Sequence, residues 1–138
     1  MTNDMITEDY VSFETAKLLK DKGFDVPIYT EIHKEFKDER PDAFIWRSER
    51  KENFNDTRSE GFYSCPTIQM AMKWLREVHH LFIQIEYECE DCFVSDIYNM
   101  TEYDKYGGHK HCPPTFVNCK TYEQACEAAV KHCLEKLI

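Results

Sequence analysis

The chain has 138 residues, 42% hydrophobic and 14% aromatic, which fits a single domain spanning 1–138 and excludes a disordered chain. Its formal net charge is −9, so its surface repels phosphate backbones and direct nucleic-acid binding is not expected. No run of about 18 apolar residues occurs, and the start, MTNDMITEDY, lacks the basic and apolar regions of a secretory signal, so a cytoplasmic protein without a membrane partner is expected.

In chain order, SFETAKLLKDKGF (residues 12–24) predicts a helix marked at both ends. Ser12 suits the N-cap, since its hydroxyl can accept from a free backbone N–H. Gly23 suits the left-handed position after the last turn, and Phe24 can then fold back on Leu19. VPIYTEIHKEF and AFIWRSE flank the polar connection KDERPD and predict a hairpin, with Ile28, Thr30 and Ile32 alternating with Tyr29, Glu31 and His33. His33 is expected on the surface. Residues 50–60, RKENFNDTRSE, are charged and aperiodic and are expected as a loop.

SCPTIQMAMKWLREVHH predicts the second helix, with Pro66 at its first position, where a missing N–H costs nothing. Ile68, Ala71, Met72, Leu75 and Val78 form its apolar stripe, flanked by Met70 and Trp74. His79 and His80 stand at its end, where a cation favours the helix dipole. LFIQIEYECEDCFVSDIYNM predicts a second hairpin turning at Glu90–Asp91. The register that sorts apolar from polar best pairs Cys89 with Cys92, Tyr87 with Val94, Ile85 with Asp96 and Ile83 with Tyr98. It places Ile83, Ile85, Tyr87, Cys89, Cys92 and Val94 on one inward face. TEYDKYGGHKHCPPT (residues 101–115) is expected as a loop from its Gly-Gly and Pro-Pro pairs, followed by FVN as a short edge strand. The last helix opens on a Thr121–Gln124 capping box and carries Tyr122, Ala125, Ala129, Cys133 and Leu137 on its apolar face.

The order α-β-β-α-β-β-α predicts an α+β fold: one antiparallel four-stranded sheet of two hairpins, with three helices on one face and a short extra edge strand. YVSFETAKLLKDKGFDVP, CPTIQMAMKWLREVHH and TYEQACEAAVKHCLEKLI, the three helical stretches, resemble a family of small uncharacterised proteins found in gut Bacteroidetes and their phages. That resemblance covers the helices, not the loops between them. It implies an accessory role and no particular chemistry.

Seven cysteines, an odd number without a signal peptide, argue against a secreted disulfide framework. Cys112, Cys119, Cys126 and Cys133 recur every seven residues, but Pro113 and Pro114 bar one helix from carrying all four. Cys126 and Cys133 would stand roughly 10 Å apart along a helix, beyond the roughly 7 Å Cα limit of a disulfide. Small apolar filler is the expected role. Zinc is the alternative chemistry: Cys89 and Cys92 clasping an ion at the turn, with Cys112 and either His109 or His111 completing four ligands. Against it, the hairpin register turns Cys89 and Cys92 inward. No nucleophile elbow, phosphate loop or Gly-rich cradle occurs among the four glycines, leaving His109 or His111 as the one handle for a small hydrolase or transferase.

Residues 81–104 hold seven acids and no Lys or Arg. The expectation is therefore a non-enzymatic protein-interaction module. Its contact surface is the acidic hairpin of Glu86, Glu88, Glu90 and Asp91, suited to a basic partner.

Overall fold

The computed structural model describes residues 6–33, 45–56 and 61–138. They form helix α1 (Phe13–Asp21), strands β1 (Ile28–His33), β2 (Ile45–Glu52) and β3 (Phe62–Ser64), and helix α2 (Ile68–His79). Strands β4 (Leu81–Cys89), β5 (Cys92–Tyr103) and β6 (His109–Cys119) follow, then helix α3 (Tyr122–His132), which runs on as a π-helical turn over Cys133–Leu137.

The class is α+β, but the hairpins do not join into a four-stranded sheet. There are two three-stranded antiparallel sheets, ordered β2-β1-β3 and β4-β5-β6. Both expected hairpins exist, and each gains a third strand. β3 is three residues long, too short to display a period of two. Strands take up most of the stretch expected as a loop, β5 running on to Tyr103 and β6 starting at His109; the two prolines of β6 lie on a sheet edge, where a strand tolerates them. Between Asp104 and Gly108 the chain makes only a tight turn: Asp104 Oδ1 accepts from the N–H groups of Tyr106 at 2.8 Å and Gly108 at 3.0 Å. Arg50–Glu52, also expected in a loop, complete β2. The KDERPD connection and residues 57–60 lie outside the described residues.

The helix ends follow local chemistry closely. Ser12 Oγ accepts from Thr15 N–H at 3.2 Å. At the other end Phe24 N–H reaches Leu19 O at 2.9 Å and Gly23 N–H reaches Lys20 O at 3.1 Å, the paired bonds of a Schellman stop with Gly23 at φ 89°. Phe24 is buried edge-on against Trp74, ring centres 5.4 Å apart. The N-cap of α2 is Thr67, whose Oγ1 accepts from Met70 N–H at 3.1 Å. Pro66 therefore stands one residue before the cap rather than inside the helix, and its carbonyl accepts from Val11 N–H. The buried stripe of α2 is rotated from the expected one: Trp74 is inside, while Val78 is 54% exposed. In α3 the Thr121–Gln124 box forms, with Gln124 Oε1 receiving Lys120 N–H instead of the cap's own.

One buried cluster serves both sheets. Ile28, Ile32 and Tyr63 come from the first, Leu81, Ile83 and Ile97 from the second, and Leu19, Leu75, Val130 and Leu134 from the helical segments. α1 packs on β3, whereas α2 contacts β4 and α3 contacts β4, β5 and β6. A carboxylate joins the first helix to the last. Glu127 Oε1 accepts from Thr15 Oγ1–H at 2.6 Å and from Ser12 N–H at 3.1 Å, so an acid on α3 sits at the positive end of α1. Lys131 and Glu14 add an ion pair at 2.8 Å between the same helices.

Two histidines depart from expectation. His33 is half-buried, stacked on Trp46 at 5.3 Å and edge-on to Phe62 at 4.3 Å, with Nε2 3.1 Å from Glu31 Oε1. His79 packs edge-on against Trp74 at 4.7 Å. Burial, then the neighbouring His80, lowers its pKa from the ordinary value, so in neutral solution it is not the dipole-pairing cation that its position suggested.

Glu127→Ala removes the carboxylate oxygen that accepts both hydrogen bonds at the start of α1. It is expected to lower unfolding free energy by about 1–3 kcal/mol, read by urea denaturation. His79 binds its proton less readily folded than unfolded, so its contribution is full above the unfolded value of about 6.5 and declines as pH falls through it. His79→Gln is expected to flatten the loss of thermal stability between pH 7 and pH 5.

Candidate functional site

The second sheet has one covered and one open face, and β4 displays the difference. Leu81 and Ile83 are buried, while Phe82, Gln84 and Glu86 are exposed. The pairing across the hairpin is shifted by one residue from expectation. Cys89 does oppose Cys92, but Tyr87 opposes Phe93, Ile85 opposes Ser95 and Ile83 opposes Ile97. Glu88 is the extra residue, bulged out beside a turn in which Asp91 takes a left-handed φ of 55°. A one-residue slip changes faces. Ser95 and Ile97 therefore face the core; Tyr87 keeps the face of Ile83 and Ile85 but lies at the hairpin end and is 67% exposed, and Cys89, past the bulge, is exposed. The inward face drawn from periodicity is wrong at Tyr87 and Cys89. The apolar residues of β5 occupy both phases of its alternation, so pattern alone could not choose.

On the open face, Phe82 opposes Tyr98, Tyr98 opposes His111, and Gln84 opposes Asp96. A second irregularity brings in Thr115: β6 advances from Cys112 to Phe116 while β5 covers only Ile97 to Ser95. This bulge aims the Thr115 hydroxyl at Asp96 Oδ1, a 2.5 Å bond, and Asp96 Oδ1 also lies 2.8 Å from His111 Nε2. A carboxylate, an imidazole and a hydroxyl together suggest a catalytic relay, and the ring atoms argue against one. In a relay the carboxylate holds one ring nitrogen and the nucleophile uses the other. Here Thr115 Oγ1 stands 3.4 Å from the same Nε2 that Asp96 engages. The trio is a polar clasp binding β6 to β5.

The five residues expected as zinc ligands do not come together. On a strand, neighbours point to opposite faces. His111 thus joins Asp96 on the open face, while Cys112 lies on the other, packed against the core. His109 stacks on Tyr103 at 4.9 Å. Cys89 and Cys92 close the hairpin, five residues along β5 from Ile97, the partner of Cys112. At about 3.3 Å per residue that is roughly 16 Å, far beyond a Zn–S bond of about 2.3 Å. Among the described residues no three His, Cys, Asp or Glu side chains form a group able to hold a metal ion.

What the open face does present is apolar and acidic. Phe82, Gln84, Tyr98, Met100, Gly108 and His109 line an open cleft of about 460 Å³. Beyond its end, the hairpin carries Glu86, Glu88, Glu90 and Asp91, all exposed. Among the described residues no Lys or Arg pairs with these four, whereas Glu102, farther along β5, pairs with Lys110 at 3.2 Å. The partner residues expected from sequence therefore do share one surface. The aromatic cleft beside them was missed, although Phe82, Tyr98 and Met100 recur at the even positions that signal a shared strand face.

The thiols divide sharply. Cys65, Cys126 and Cys133 are buried, and burial pushes them up to about 12, 11 and 12. They are packing, as expected for Cys126 and Cys133. Burial also raises Cys112. Comparison of the chain with protein-family models, with curated proteins and with solved structures finds no match in any of the three. No helix among the described residues is long and apolar enough to cross a membrane.

Cys89 is the one exposed thiol, so in native protein it is expected to react first with an aromatic disulfide reagent. Cys65, Cys126 and Cys133 should become reactive only in denaturant. Alkylation followed by peptide mass mapping checks the order.

Proposed function

We propose that the protein is a non-enzymatic accessory module that docks a basic, partly apolar segment of a partner protein on the β4–β5 hairpin and the open face beside it. The observation that carries this reading is the uncompensated charge. Seven acids and no Lys or Arg lie between residues 81 and 104, and the four at the hairpin end have no cationic partner among the described residues. Carboxylates left open in this way attract cations over about a Debye length. The adjoining Phe82 and Met100, 41% and 38% exposed, supply apolar area that a solvated acidic loop would not need. A segment alternating Lys or Arg with Leu or Phe matches both features, with cations meeting Glu86 and Glu88 and apolar residues entering the cleft.

A synthetic peptide alternating Lys and Leu, titrated into the isotopically labelled protein and followed by NMR, tests the reading. Shifts are expected on β4 and β5. Joint replacement of Glu86, Glu88 and Glu90 by Lys should weaken the affinity at least tenfold with the fold retained, and added salt should weaken it in the unaltered protein. Equal binding of a peptide with Glu in place of Lys, or unchanged affinity after charge reversal, would reject it.

A further inference from the structure

Cys89 and Cys92 hold the opposed positions that close the β4–β5 hairpin. Directly opposed residues of an antiparallel ladder have Cα atoms about 4.5–5.5 Å apart, inside the roughly 4.4–6.8 Å span a disulfide requires. Cys92 Sγ lies 3.6 Å from Glu88 Oε2 and 3.8 Å from Asn118 Oδ1, at the exposed end of the sheet. Cys89 is exposed and Cys92 half-exposed, so a small reagent reaches both. No other pairing combines these properties. Cys65, Cys126 and Cys133 are buried, and Cys112 and Cys119 lie across from Ile97 and Phe93 on β6.

We infer that Cys89 and Cys92 form a reversible dithiol–disulfide pair that exchanges with low-molecular-weight disulfides of the glutathione type. The Cys89 thiolate attacks one sulfur of the small disulfide. A Cys89–small-thiol bond forms, the original S–S bond breaks, and the second half leaves as a thiolate that takes a proton. The Cys92 thiolate then attacks the Cys89 sulfur, closing the internal bond and expelling the other half in the same way. Two protein thiols are oxidised and one small disulfide is reduced to two thiols. The local chemistry sets the character of the pair. Partial desolvation, then the Cys89 thiol and the Glu88 carboxylate, raise the Cys92 pKa, so its thiolate is scarce and closure is slow near neutrality. With the Cys92 thiolate disfavoured, reduction gains little, so the closed form is a weak oxidant, unlike the pairs that open helices.

The test uses the native protein equilibrated with mixtures of oxidised and reduced glutathione, acid-quenched, alkylated and digested with trypsin. Residues 77–105 are released as one peptide holding Cys89 and Cys92 and no other cysteine. The expected result is loss of both alkylation sites with the peptide lighter by two hydrogens, fully reversed by dithiothreitol. Cys92→Ser should instead trap a stable glutathione adduct on Cys89. Overturning results are a wild-type peptide that carries glutathione adducts without internal closure, one that stays fully alkylated in oxidised glutathione, or closure involving any other cysteine. Circular dichroism of the variant establishes that it is folded.

Discussion

Two sheets share one set of helices, and that is the constraint on which the fold depends. A three-stranded sheet with a single apolar face is not stable in water until the face is covered. Here the buried residues of both sheets belong to the same cluster as those of α1, α2 and α3. α2 illustrates the demand. Its buried residues Ile68, Ala71, Met72, Trp74 and Leu75 spread over more of its circumference than one narrow seam, because Trp74 reaches Phe24 after α1 while the helix also packs on β4. The Glu127 carboxylate at the start of α1 draws the first and last helices into one layer.

The same division of labour explains why the second sheet has an open face. Helices cover one side of β4-β5-β6, and the other keeps Phe82, Tyr98 and Met100 beside the Asp96–His111–Thr115 clasp. The clasp fastens a strand whose ladder is broken by bulges and two prolines. It therefore accounts for the polar trio structurally, and leaves the acids and the aromatic cleft as the features that packing does not explain.

Where cues were local, they were legible. Ser12, Gly23, Phe24 and Thr121 each act within about five residues of themselves and stand in the predicted role, while Gln124 accepts from Lys120 N–H, one residue before the cap. The alternation of Ile28, Thr30 and Ile32 likewise reports burial directly. What could not be read depends on partners distant in the chain. Whether two hairpins share a sheet is settled by how many faces the helices can cover. β3 escaped notice because it is too short to be periodic, and of β6 only the FVN edge strand was legible, the rest being masked by Gly-Gly and Pro-Pro. Register failed at Glu88 because Phe93, Val94, Ile97 and Tyr98 give apolar residues to both phases of β5. That bulge sets Cys89 on the surface, while Tyr87, which precedes it, is exposed at the hairpin end. It also turned a presumed pair of filler residues into an accessible one.

α2 ends at His79 and β4 begins at Leu81, so His80, with its φ of 58°, is the entire connection between them. A joint of one residue locks the rotational phase of the strand to that of the helix. One inserted residue there would advance β4 by half a pleat, turning Phe82, Gln84 and Glu86 inward and Leu81 and Ile83 out. Length variation in a diverging lineage is thus confined to other places, such as the turns at Glu90–Asp91 and Asp104–Gly108, while the helix-to-strand junction stays frozen in length even as its residues change.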